Sequence, residues 1–247
     1  MPAPRVLVVE HQATCPPARF GAWLVEATCV LEMCRPYLGD PLPPLDGYHG
    51  LVVLGGSMDS TDPTVPWLQP VQELIREADR RGLVTLGICL GHQLCALAFG
   101  GQVERSRHGQ QVGVVDVGWE SPWPLGTGRD LGLHDAPEHP RRPAVFWNDD
   151  VVTVVPDGAE VLARAPGGDP QAIRFRDRVW GVQWHPEADL DVVRPWAVSE
   201  AARHIVGGVD QERRLAAIVA ATPTLLQLER RLARRFAERA RLQAWYG

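Results

Sequence analysis

Over the first hundred residues, short apolar runs alternate with segments in which apolar side chains recur every three or four positions. The runs Arg5–Glu10, Thr28–Cys34, Gly50–Leu54 and Leu83–Leu86 predict strands. Between them, Ala18–Ala27, Trp67–Arg81 and Leu90–Phe99 predict helices; in the second, Leu68, Val71, Leu74, Ile75 and Ala78 share one face. Apolar strands separated by helices indicate βαβ units, whose parallel sheet is buried on both faces.

Beyond Gln102 the pattern changes. Val112–Val117, Ala144–Val155, Glu160–Ala165, Gln171–Arg176 and Val179–Trp184 read as strands with no helix between them. Pro36–Pro44 and Ser121–Arg142, rich in proline, glycine and charge, read as surface connections. After Pro186 the chain turns helical to about Ile205, and again from Gln211. The tail Thr224–Trp245 sets Leu225, Leu228, Leu232, Phe236 and Ala240 on one stripe. Glutamates interrupt its basic face, so the stripe is expected to pack on the domain or on a second subunit rather than on a membrane. The organisation read from this pattern is a catalytic-sized unit, residues 1–207, and a helical extension, residues 208–247.

Composition narrows the chemistry. The 247 residues contain no lysine, which excludes a Walker-type phosphate loop and Schiff-base catalysis. A net charge of -5 gives no general reason to bind nucleic acid. Five cysteines without a CxxC pair suggest neither a disulfide framework nor a zinc ribbon. No basic region precedes the first strand and no apolar stretch approaches ~18 residues, so the expectation is a cytoplasmic protein without a membrane span. The histidines His11, His49, His92, His108, His134, His139 and His204 lack metal-ligand spacing, and neither metal nor cofactor is expected.

Gly87-Ile88-Cys89-Leu90-Gly91 has the form G-x-C-x-G between a predicted strand and a predicted helix. This is the cysteine counterpart of the nucleophile elbow, in which flanking glycines make room for a sharp strand-to-helix turn. A cysteine at a helix N-terminus is also favoured as thiolate. Cys15, Cys29, Cys34 and Cys95 lack such a setting and read as small buried residues. At the end of a later strand, Trp184-His185-Pro186-Glu187 offers a base and, two residues on, a carboxylate on the same face. Alone the tripeptide is a weak signal; beside the elbow it completes a Cys89, His185, Glu187 triad.

Together Gly87–Gln93 and His185-Pro186-Glu187 resemble the class I glutamine amidotransferases, the family that includes the amidotransferase domain of GMP synthase. Val52-Val53-Leu54-Gly55-Gly56, Pro66-Trp67-Leu68 and Gln183-Trp184 extend the likeness, which runs from about Arg5 to Ile205. The resemblance implies a flavodoxin-like three-layer α/β sandwich with a mostly parallel central sheet. It implies an oxyanion hole from the backbone N–H groups of Gly56 and Leu90, and substrate contacts at Gln93, Ser57, Met58 and Asp149. Two departures stand out: Asn148-Asp149-Asp150 replaces the common His-Gly-Asp, and Gly55-Gly56-Ser57 replaces Gly-Gly-Pro.

Three functions follow as expectations. The first is hydrolysis of glutamine or another γ-glutamyl small molecule through a thioester, with ammonia passed to a separate synthetase subunit or to none. The second is a γ-glutamyl peptidase or hydrolase for larger amides, and the third is a non-catalytic relative. A homodimer is a further expected partner. An α/β-hydrolase fits less well, because its acid normally precedes the histidine along the chain.

Overall fold

The structure, a computed structural model, describes residues 2–119, 131, 141–202 and 208–246. Its first half is the expected alternation of β1 (Arg5–Val9), α1 (Ala18–Glu26), β2 (Val30–Cys34), β3 (Gly50–Val53), α2 (Leu68–Arg80), β4 (Val84–Ile88) and α3 (Leu90–Ala98). There follow β5 (Gln102–Arg105), β6 (Gln111–Trp119), β7 (Arg141–Asn148), β8 (Asp150–Val154), β9 (Glu160–Arg164), β10 (Pro170–Arg176) and β11 (Val179–Val182). Helices α4 (Leu190–Ala202) and α5 (Gly208–Tyr246) close the chain.

Nine strands form one sheet in the order β2-β1-β3-β4-β11-β10-β9-β6-β7, parallel from β2 to β11 and antiparallel from β10 onward. Alternation along each parallel strand divides the core between two faces. Val6 and Val8 pack with α1 and α5, whereas Leu7 and Val9 pack with α2 and α3. Helices on both faces of the sheet give the three layers expected of an α/β fold.

Three readings differ from what folding produces. The run Ala144–Val155 is two strands: the chain turns at Asp149, so that β7 stays in the main sheet while β8 pairs with β5 in a separate two-stranded sheet. Asn148 Nδ2 donates to the Asp150 carbonyl at 3.1 Å across this corner. Strand β5 escapes the sequence pattern because Gln102, Glu104 and Arg105 leave Val103 as its only apolar residue. The last sheet strand ends at Val182, two residues early, and Gln183 and Trp184 lie in a bend. Most of Ser121–Arg142, together with His134, His139 and His204, lies outside the described residues.

Helix α5 runs through Pro223 without a break, joining the segment read as helical from Gln211 to the tail helix read from Thr224. Its Leu232, Ala233, Phe236, Ala237 and Ala240 belong to the same core as Val6 and Val52. The Phe236 ring lies over Gly50 so closely that a Cβ there would stand 3.0 Å from Cζ. The apolar stripe therefore packs on this chain's own sheet. The buried ion pair of Arg142 with Glu229 also joins α5 to β7. Among the described residues no helix is long and apolar enough to cross a membrane.

Candidate active site

Strands β4 and β11 are parallel neighbours, with Gly87 opposite Gly181 and Ile88 opposite Val182. Both end at the same edge of the sheet, so Cys89 and the segment Gln183–Glu187 meet although they are far apart in sequence. The Cys89 N–H donates to the Val182 carbonyl at 2.9 Å, which fixes the two strand ends together.

The turn at Cys89 is strained, with φ 51° and ψ −108° at a residue other than glycine. Its glycines are sterically obligatory. A Cβ on Gly87 would lie 2.4 Å from the Gly91 carbonyl oxygen, and one on Gly91 would lie 2.0 Å from that of Val53. Cys89 caps the N-terminus of α3, where unpaired N–H groups and the helix dipole favour an anion. Gly56 sits against Leu90: a Cβ on Gly56 would come within 2.8 Å of Leu90 Cδ2.

His185 is held at several points. Its backbone N–H donates to the Val145 carbonyl at 2.8 Å, and its Nδ1 lies 2.7 Å from Glu187 Oε1. Pro186 and Glu187 form a turn rather than a continuing strand, and this brings the carboxylate back to the ring. Burial alone lowers the His185 pKa, but the charges and hydrogen bonds of Glu187 and Cys89 outweigh it and push the value up to about 10. The balance of these interactions favours the imidazolium form of the ring at neutral pH.

Gln183, whose role spacing did not reveal, points its buried amide at the sulfur. Its Nε2 lies 3.6 Å from Cys89 Sγ, and its Oε1 lies 3.5 Å from Gln93 Nε2. Gln93 in turn donates to the Asp150 carbonyl at 3.0 Å. A chain of side-chain amides therefore runs from the β7–β8 corner to the cysteine.

A cavity of about 160 Å³ opens over Cys89 and His185. Its walls include Gln12, Thr14, Gly56 and Ser57 from the loops after β1 and β3, and Trp147, Pro195, Trp196 and Ser199 from β7 and α4. Ser57 donates to Gln12 Oε1 through both N–H (3.0 Å) and hydroxyl (2.8 Å). Of the expected substrate contacts, Ser57 lines this cavity, whereas Gln93, Met58 and Asp149 do not. Asp149 is partly exposed and 3.9 Å from Arg105. Neighbouring Asp150 has its carboxyl pKa raised, chiefly by burial and then by Asp59.

Cys15, expected as a small buried residue, is buried but lines the cavity. Burial, with Glu187 and Cys89 adding to it, raises its pKa and keeps it a thiol. His92 and His11 are neutral: burial lowers them to about 3 and about 4, and Trp67 Nε1 donates to His11 Nδ1 at 3.1 Å. Among the described residues no group of His, Cys, Asp and Glu is arranged to hold a metal.

The family model described as "Glutamine amidotransferase class-I" matches residues 27–198. Gamma-glutamyl peptidase 4 of Arabidopsis thaliana is 29% identical over 151 residues, covering 60% of this chain and 57% of the relative. One subunit of the glutamine-hydrolysing GMP synthase of Methanococcoides burtonii is 34% identical over 140 residues, covering 56% of this chain and 64% of the relative. The matched region thus spans less than two thirds of either relative. Among solved structures, a glutamine amidotransferase of Thermotoga maritima superposes with a TM-score of 0.83 at 23% identity, covering 96% of this chain and 100% of that one. That likeness is one of fold.

Proposed function

Because the chain belongs to the class-I glutamine amidotransferases, we propose that it hydrolyses a γ-glutamyl amide with Cys89 as nucleophile, His185 as acid and base, and Glu187 as the group that orients and charges the ring. The observation that carries this reading is the buried contact of His185 with Glu187, 2.7 Å on one side, and with Cys89 on the other.

In the first half-reaction the Cys89 thiolate adds to the amide carbon, and negative charge moves to the carbonyl oxygen. The N–H groups of Gly56 and Leu90 are the donors proposed for that oxyanion; such donors act on charge only as it develops. His185 gives its proton to the amide nitrogen, the C–N bond breaks, and ammonia or an amine leaves. In the second half-reaction water passes a proton to the now neutral His185 and its hydroxide adds to the thioester carbon. Collapse expels the Cys89 thiolate and frees glutamate, restoring the ion pair.

The glutamyl end is proposed to lie towards Ser57 and Met58, with Gln93 and Asp149 beyond them. The carboxylate of Asp150, with Asp59 and Asp149 each near enough to act on it, suits a substrate α-ammonium. The test is glutamate release from glutamine and a panel of γ-glutamyl peptides by the isolated protein and by Cys89→Ala. Release by the native protein alone supports hydrolysis, and retention of most activity by the variant removes the claim. Likeness to one subunit of a synthase supports a second reading, that of a partner-dependent amidotransferase. Silence towards every amide until a synthetase partner is added would favour it.

A further inference from the structure

The proposed reaction does not explain why two tryptophans stand at the catalytic pair. Trp196 on α4 packs on the His185 ring with centroids 4.6 Å apart, and Trp147 on β7 packs on Trp196 at 5.9 Å. Both line the cavity over Cys89, with Pro195 beside them. Trp196 is fixed there. Its Nε1 donates to the Thr14 carbonyl at 2.8 Å, and its body is buried with Val145, Val192, Val193, Ile218 and Leu225.

The direction of the reaction decides what this wall faces. His185 must hand its proton to the departing nitrogen, so the substituent on that nitrogen lies on the His185 side of the sulfur. The glutamyl end is the one proposed above to lie towards Ser57, which lines the same cavity, and towards Met58, Gln93 and Asp149, which do not. A departing ammonia has no atoms with which to use an aromatic wall, whereas a flat apolar group desolvates against one. The cavity, at about 160 Å³, is smaller than the ~300–1,000 Å³ usual for drug-sized ligands. It suits a short substituent and not an extended peptide.

We propose that Trp147 and Trp196 form the subsite for the leaving amine, and that the substrate is a small γ-glutamyl amide whose nitrogen carries a compact apolar, preferably aromatic, group. This rests on the γ-glutamyl amide hydrolysis proposed above. Acylation then breaks the C–N bond of a secondary amide, and the proton from His185 leaves on the released primary amine.

The experiment measures kcat/KM of the isolated protein for glutamine, γ-glutamylglycine, γ-glutamylethylamide and γ-glutamylbenzylamide by glutamate release. Ammonia and benzylamine are of similar basicity, so the comparison of their amides reports the subsite and not the leaving group. The expected result is a preference of at least tenfold for benzylamide over glutamine. Trp147→Ala and Trp196→Ala should each cut that ratio severalfold, while Trp147→Phe and Trp196→Phe keep most of it. The native ratio is a readout that does not depend on a variant folding. Glutamine hydrolysis with a ratio near or below one overturns the subsite and leaves the proposed reaction standing. So does a uniform loss in the alanine variants with the ratio unchanged, which marks the tryptophans as supports for His185. No release from any of the four amides by the isolated protein, with Cys89 intact, removes partner-independent hydrolysis and the subsite together.

Discussion

Replacing Glu187 by glutamine keeps the shape of the side chain and an oxygen near His185 but removes the charge. The ring titrates at about 10 rather than its ordinary 6.5, despite burial that opposes the charged form. At about 1.36 kcal/mol for each tenfold step in the protonation equilibrium, that is roughly 5 kcal/mol in favour of the imidazolium. Glu187 is the foremost of the groups that raise it, ahead of Cys89. If it supplies half or more, its loss drops the pKa by about 2, a ~100-fold fall in the equilibrium constant between the thiolate–imidazolium pair and the neutral pair. The assay is the rate of Cys89 alkylation by iodoacetamide between pH 5 and 9, followed by mass on the intact protein. The native protein should react at a rate nearly flat through neutrality, because the ion pair persists until pH rises through about 10. Glu187→Gln should lose most of its rate at pH 7 and recover it only as pH rises and the thiol ionises unaided. Identical profiles would refute the electrostatic role given to Glu187.

Gly91→Ala places a methyl 2.0 Å from the Val53 carbonyl oxygen, so the elbow must open; glutamate release should vanish, and a variant with native activity would contradict the steric argument. Gln183→Leu removes the amide that faces Cys89 Sγ at 3.6 Å and should slow alkylation severalfold while far-ultraviolet circular dichroism stays native; an unchanged rate would leave Gln183 a packing residue. Phe236→Ala empties a fully buried site in the main core and should cost ~3–5 kcal/mol in urea unfolding, with truncation before Thr224 preventing folding. A loss under ~1 kcal/mol would show that α5 is dispensable.

The parts of the fold that could be read from sequence are those in which one rule dominates. Strands β1, β3 and β4 must be apolar on both faces, and Gly87 and Gly91 admit no side chain. The pairing of His185 with Glu187 was legible because both lie in one short segment, and their side chains stand 2.7 Å apart. Strand β5 was not, since an exposed polar strand has no periodic signature. Nor was the unbroken α5, since packing on both sides of Pro223 overrides the helix-breaking rule. Gln12 and Cys15, Trp147, and Trp196 reach the cavity from separate stretches of chain, and only tertiary structure brings such residues together.

The central claim is a covalent one and is tested by trapping the intermediate. Native protein mixed with the best γ-glutamyl amide and quenched in acid within milliseconds to seconds should carry one γ-glutamyl group, located by peptide mass spectrometry on Cys89 and absent from Cys89→Ala. An adduct on another residue, or rapid turnover with no adduct and an active Cys89→Ala, would contradict it.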